Sequence, residues 1–300
     1  MSTPLESQSN ATPPTTKRKV ILASAALVVL FSLPLFNLIR FAVQSALYSH
    51  IVLIPFISLY LARQIRSTQN DQSAPNRPLA VVLFGAGFAS LVGWALPVLS
   101  GTVFTQQDSL VLTTLSFLCF FTGICTWILG RQTLRSLLFP LAFLLFMVPM
   151  PVSLETGIEN LLQHGSAAVA HVLFNLAGTT VFVNGLIFQL TTITIQVAPE
   201  CSGIHSSLAL FITSIVAGYF FLRSPTRRIS LALAVLPLAL LRNGLRVFVL
   251  GELCVRIGPE MINSYIHHQG GPIFFAISLL PFSLLLLLLV KSERKARPQP

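Results

Sequence analysis

The sequence predicts an all-α polytopic membrane protein with about eight transmembrane helices, interrupted by a short β-hairpin and an interfacial helix that precede Cys201. Three observations lead there. Of the 300 residues, 54% are hydrophobic and 9% charged, and the mean hydropathy is +0.79, a balance foreign to ordinary soluble domains. Apolar runs of roughly the 20 residues needed to cross a bilayer recur between short polar connectors. Between about 179 and 198 the helical period gives way to alternation.

Charge placement excludes one class at once. A formal net charge of +10 is compatible with a nucleic-acid partner, but the cations are neither gathered on a soluble module nor interleaved with exposed aromatics. They flank span ends instead: Lys17, Arg18 and Lys19; Arg63, Arg66 and Arg77; Arg131 and Arg135; Arg223, Arg227 and Arg228; Lys291, Arg294, Lys295 and Arg297. That is the positive-inside pattern of a cytoplasmic membrane, and the expected partner is the lipid bilayer.

Residues 1–16, rich in Ser, Thr, Pro and Asn, are expected to form a disordered cytoplasmic tail. Residues 17–292 read as one transmembrane domain, and 293–300 as a basic cytoplasmic tail. The first apolar run follows a basic cluster as in a signal sequence, but it is long and lacks a small-residue cleavage site, so a retained helix is expected. Five spans are placed at about 20–38, 45–62, 78–98, 109–129 and 135–152. Charge alternation then leaves the chain outside at Pro149-Met150-Pro151.

The segment 156–176 carries Glu159, Asn160, Gln163, His164 and His171, too polar for a helix facing lipid all round, and is expected at the interface. Alternation of Val181 with Val183, an Asn184-Gly185 turn, and the run Ile187, Gln189, Thr191, Ile193, Ile195, Val197 predict a β-hairpin leading into Cys201. Its edges require burial in protein or a place outside the hydrocarbon. Helices resume at about 203–222, 229–250 and 272–290. On this reading both termini are cytoplasmic, and Cys201, Arg246 and His267 share the outer interface.

Of the four cysteines, Cys119, Cys125 and Cys254 lie in apolar helical surroundings suited to small buried hydrophobes, and no metal or disulfide spacing is present. Cys201 differs. It follows Pro199-Glu200 and precedes Ser202-Gly203 at the start of a helix, where the positive dipole end and free backbone N–H groups favour a thiolate. Gly203 adds backbone freedom for close approach of a substrate. Arg242 and Arg246 stand four apart on one helical face with Asn243 between them, and an arginine inside a span points by default to function. Snorkelling also accommodates Arg246, near the helix end. His267, paired in sequence with His268, carries an imidazole, the side chain best suited to accept or donate a proton. Thiol, guanidinium and imidazole together suit amide cleavage by thiolate attack.

Pro149-Met150-Pro151, the Gly178 to Gly185 hairpin region, Glu200-Cys201-Ser202-Gly203-Ile204, Asn243-Gly244-Leu245-Arg246-Val247, and His267 with Gly271 and Phe275 together resemble the exosortase and archaeosortase family. The resemblance is strong over the C-terminal half; the first four spans share only hydrophobicity. It implies a multi-pass cysteine transpeptidase acting on exported proteins whose C-terminal sorting signal combines a Pro-Glu-Pro-type motif, a transmembrane helix and a basic tail. A polysaccharide or lipid acceptor is a further implied partner; no cofactor is implied. Carried over by motif, Cys201 is the thioester-forming nucleophile, Arg246 an acid or electrostatic group, and His267 the remaining polar partner, base or stabiliser. Arg242, Asn243, Glu200 and Gly203 are candidate supporting residues, with Arg242 competing for the arginine role. Pro272 stands where bacterial members often carry an aromatic, and archaeal relatives have arginine in place of His267.

Two other classes fit the composition. A transporter would line an anion pathway with Arg242, Arg246 and Glu252 and need no thiol. A noncatalytic scaffold would use the spans only for assembly.

Overall fold

The computed structural model describes residues 14–65, 74–101, 104–198, 202–263 and 270–295. It is helical almost throughout, with one small sheet, in the polytopic class expected. Five helices are long and apolar enough to cross a membrane, or seven if the pairs of shorter helices at 18–44 and 131–177 each make one span. The expectation was about eight, and the difference arises mainly in residues 14–64. The tail expected at 1–16 and the end of the basic tail at 293–300 fall largely outside the described residues, although the last helix continues to Lys295.

The chain divides into two compact units, Met1–Val152 and Ser153–Pro300. The first holds α1 (Pro14–Leu30), α2 (Ser32–Gln44), α3 (Ile54–Gln64), α4 (Arg77–Leu99), α5 (Gln106–Ile128) and α6 (Arg131–Phe143). The run expected as one span at 20–38 bends by 73° between α1 and α2. Pro34 explains it: in a continuous helix its ring would meet the Leu30 carbonyl four residues back. Pro55 likewise opens α3, which has 11 residues and is too short to cross alone.

α4 and α5 pair closely. Ser116 Oγ donates to the Gly87 carbonyl at 2.8 Å, Ser90 Oγ to the Leu112 carbonyl at 2.8 Å, and Trp94 Nε1 to Ser109 Oγ at 2.7 Å. Small and hydroxylated residues at such a crossing let backbones approach and satisfy donors that lipid cannot. At the start of α5, Gln107 Nε2 donates to the Met150 carbonyl at 2.8 Å, and Asp108 accepts the Val152 N–H at 3.1 Å. The proline-flanked Met150 is thereby held. Outward-facing Val29, Leu33, Phe56, Val82 and Phe88 remain exposed, as a lipid-facing surface requires.

The second unit, apart from the first residue of its first helix, holds α7 (Val152–Ala177), β1 (Val181–Asn184), β2 (Ile187–Leu190), β3 (Thr194–Gln196), α8 (Ile204–Phe221), α9 (Pro225–Leu233), α10 (Val235–Arg256) and α11 (Gly271–Lys295). The expected hairpin is there, with a third strand added: the sheet is antiparallel in the order β1-β2-β3. The turn residues are Gly185 and Leu186, one position later than expected, because Asn184 pairs with Ile187. Gly185 has φ +61° while Leu186 does not turn positive, the arrangement of a type II′ turn.

The sheet covers an apolar cluster built from Ala170 and Phe174 of α7, Phe188 of β2, Ile195 of β3, and Val247 of α10. Phe174 meets Phe248 edge-on at 5.2 Å between centroids. Polar ties close its edges: Thr192 Oγ1 donates to the Cys254 carbonyl at 3.2 Å, Thr179 Oγ1 donates to Glu252, and Arg256 Nε donates to Glu252 at 2.7 Å. The sheet is therefore held by protein, the condition that strands in a membrane protein must meet. A second cluster joins α8, α9, α10 and α11 through Leu210, Leu231, Val235 and Phe282. The helix expected at 229–250 breaks at Ala234, and α10 carries on from Val235 past Pro237.

Candidate active site at the Ser202–Gly203 turn

Cys201 and Glu200 lie outside the described residues, as does His267, so the geometry begins at their described neighbours. Among the expected supporting residues, Gly203, Arg242 and Asn243 come together. Arg246 sits one turn further along α10, half-buried, close enough for its charge to act on Arg242.

Ser202 is fully buried and Gly203 caps α8 with φ +70°, in the left-handed region that side chains with a Cβ rarely adopt. A Cβ at Gly203 would also overlap the Asn243 carboxamide. Conformation and space thus both demand glycine. Its carbonyl accepts the Ser207 N–H at 2.9 Å, opening the helix, and the Ser207 and Ser206 hydroxyls at 2.8 and 3.1 Å. Ser202 Oγ accepts the Ile204 N–H at 3.4 Å.

The partners arrive from α10. Asn243 Nδ2 donates to the Ser202 carbonyl. Arg242 Nη2 donates to the Gly203 carbonyl at 3.2 Å and to Ser207 Oγ at 3.1 Å, while its Nε donates to Asn243 Oδ1 at 3.2 Å. Arg242 is 5% exposed and Asn243 3%. Gly244, next in the motif, packs against Val169 of α7, where no side chain would fit. The Asn-Gly pair therefore faces two neighbours at once: the amide holds the turn, and the missing side chain lets α7 approach.

On the other flank of residues 199–201, Val197 is anchored twice. Its N–H donates to the Leu186 carbonyl at 2.9 Å, and its carbonyl accepts from Gln163 Nε2 at 3.3 Å. The chain is fixed by α7 and the sheet just before the three-residue segment, and by α10 just after it. Gln163, Ser202 and Ser207 were not named as site residues from sequence, although Gln163 stood out as an amide in a partly apolar helix and Ser202 lay within the Cys201 motif.

Compared with known families, the chain matches Transmembrane exosortase (Exosortase_EpsH) over residues 42–284. It belongs to the exosortase family. The match extends well beyond the C-terminal half that carries the motifs and takes in α3 to α6. No curated protein and no solved structure matches the chain. At the level of the family, this exosortase is a multi-pass membrane protein of protein sorting.

The transporter reading asked Arg242, Arg246 and Glu252 to line a pathway. In this exosortase Arg242 and Glu252 are engaged locally, the first on the Ser202–Gly203 turn and the second between Thr179 and Arg256. Among the described residues no group of three His, Cys, Asp or Glu side chains converges.

Proposed function

We propose that this exosortase-family chain is a membrane cysteine transpeptidase that cleaves the C-terminal sorting signal of exported proteins, with Cys201 as nucleophile. The observation that carries the reading is the Ser202–Gly203 turn: the residue directly after Cys201 is fully buried, and the next caps an 18-residue helix. The turn opens α8 at its free backbone N–H groups and positive dipole end, a setting that favours a thiolate next to it in the chain. Membership of the exosortase family agrees with the substrate class that the motif resemblance implies, a protein with a C-terminal sorting signal.

In the proposed reaction the Cys201 sulfur attacks the scissile amide carbonyl, and the C–N bond breaks as the amine leaves. His267 takes the thiol proton and passes it to that amine, releasing the transmembrane helix and basic tail of the signal. Arg246 stabilises the oxyanion of the tetrahedral intermediate, where one preorganised donor is worth about 10²–10³ in rate. The remaining thioester is resolved by an amine, a hydroxyl of a polysaccharide or lipid acceptor, or water, which restores the thiol. The site belongs near the outer face of the cytoplasmic membrane, with both termini inside.

Cys201→Ala tests the reading. Its expected result is complete loss of processing of a co-expressed protein ending in a Pro-Glu-Pro-type motif, apolar helix and basic tail, with insertion and yield unchanged. Continued processing by that variant ends the proposal.

A further inference from the structure

Arg242 is a charged group inside a membrane-length helix, 5% exposed, and among the described residues no carboxylate pairs with it. Such a group is costly and persists where its donors meet a specific need. Three of its N–H bonds have partners: Nε–H on Asn243 Oδ1, and Nη2 on the Gly203 carbonyl and Ser207 Oγ. Nη1 has no partner among the described residues.

The contact to Asn243 sets more than its own bond. With Oδ1 accepting from Arg242, the amide nitrogen is turned towards the Ser202 carbonyl, to which it donates. A flipped amide would oppose N–H to N–H at Arg242 and oxygen to oxygen at Ser202. Arg242 therefore fixes the Ser202 carbonyl through Asn243 and the Gly203 carbonyl directly. Lysine cannot reproduce this, since it lacks the planar fork that serves both edges.

We propose that Arg242 is a positioning residue, acting with Asn243 as a two-point clamp on the turn that presents Cys201, while Arg246 keeps the role at the reacting carbonyl. The inference rests on Cys201 being the nucleophile, and it separates the two arginines by task. Charge at position 242 is insufficient, and the fork with its amide partner is required.

The test is alkylation of the full-length chain in lipid vesicles at fixed pH by iodoacetamide, whose iodide is displaced by the thiolate sulfur. Adducts are assigned by mass spectrometry at Cys201 and, as an internal reference in the other unit, at Cys119. Arg242→Lys and Asn243→Ala are each expected to slow Cys201 alkylation about tenfold, the scale of one lost charge-assisted hydrogen bond. The double variant is expected to fall no more than about twofold further, because the two groups act in series. Cys119 is expected to react unchanged. Wild-type rates with lysine at 242, a double variant whose loss is the product of the single losses, or an unreactive Cys201 in the parent chain overturns the clamp. Where a variant raises the Cys119 rate through misfolding, Ser207→Ala decides: it removes one acceptor of Nη2 and is expected to slow Cys201 about twofold to threefold, whereas an unchanged rate overturns the proposal. No protein substrate enters this assay, so its failure is distinct from continued processing by Cys201→Ala, which would remove the nucleophile itself.

Discussion

Within the helices of the first unit hydroxyl and indole groups tie one to another, Ser58 to the Pro140 carbonyl, Ser90 to Leu112, Ser116 to Gly87 and Trp94 to Ser109, while the Gln107 carboxamide and Asp108 carboxylate bind backbone at the partly buried start of α5. In the second a guanidinium and two carboxamides bind backbone at the two flanks of residues 199–201, and the Glu252 carboxylate accepts from Thr179 Oγ1 and Arg256 Nε. Both units bury polar atoms among apolar helices. Neutral hydroxyls are cheap to bury and serve packing, whereas a buried guanidinium is expensive and marks a place where local geometry has to be specified. The difference shows that polarity inside a span must be graded by what it costs before it is taken as a sign of a site.

That grading predicts unequal responses to substitution. The largest belongs to Arg246, which the proposed mechanism places at the developing oxyanion. Arg246→Gln is expected to lower the processing rate by about 10²–10³ with the protein still inserted and folded. Processing kinetics against a reconstituted sorting-signal substrate check it. A loss below about threefold would remove Arg246 from the reaction and give the second unit's cations a purely local role.

Next comes Gly203→Ala. The left-handed backbone costs an L-residue about 1–2 kcal/mol, and the added methyl overlaps the Asn243 amide, so the turn has to move. Displacement of a reacting group by about 1 Å can cost about 10² in rate, and a loss of about 10- to 100-fold is expected in both processing and Cys201 alkylation. Gly244→Val follows. Its side chain would collide with Val169, an overpacking change worth about 1–3 kcal/mol of stability, read as a lowered midpoint of thermal unfolding in detergent. Activity per folded molecule should fall less than for Gly203→Ala, since the amide next to it keeps its contacts.

Much of the second unit was legible in sequence because its elements announce themselves by composition. Alternating Val181, Val183 and Ile187 marked strands, Asn184-Gly185 marked a turn within one residue, and four-residue spacing put Arg242 and Arg246 on one helical face. The break of the second strand at Thr191–Ile193, which makes three strands of two, left no comparable sign. Helix breaks were harder still. Pro34 and Pro237 each stand just after a break, while Pro140 and Pro281 lie inside α6 and α11. All four sit in similar apolar runs, and neighbouring helices decide whether the freed carbonyl is satisfied in place or the chain turns. At the site, sequence named Arg242, Asn243 and Gly203 as companions but not their division of labour. That depends on which carbonyl each donor reaches, a matter of three dimensions.

The smallest effect tests the other side of the comparison. Ser116 is fully buried in α5, and its hydroxyl reaches the Gly87 carbonyl, which already belongs to the backbone ladder of α4. Replacing it with alanine removes one neutral interhelical bond and leaves no charged group exposed to hydrocarbon. In membrane proteins such bonds are worth about 0.6 kcal/mol and seldom more than about 1.7 kcal/mol, because the separated helices also find partners. Ser116→Ala should therefore shift thermal unfolding slightly and leave processing and Cys201 alkylation unchanged. A large loss of activity from so small a change would mean that the α4–α5 crossing sets geometry as strictly as the Arg242 clamp does. The grading of polar groups by burial cost would then fail in the unit where it assigns only packing.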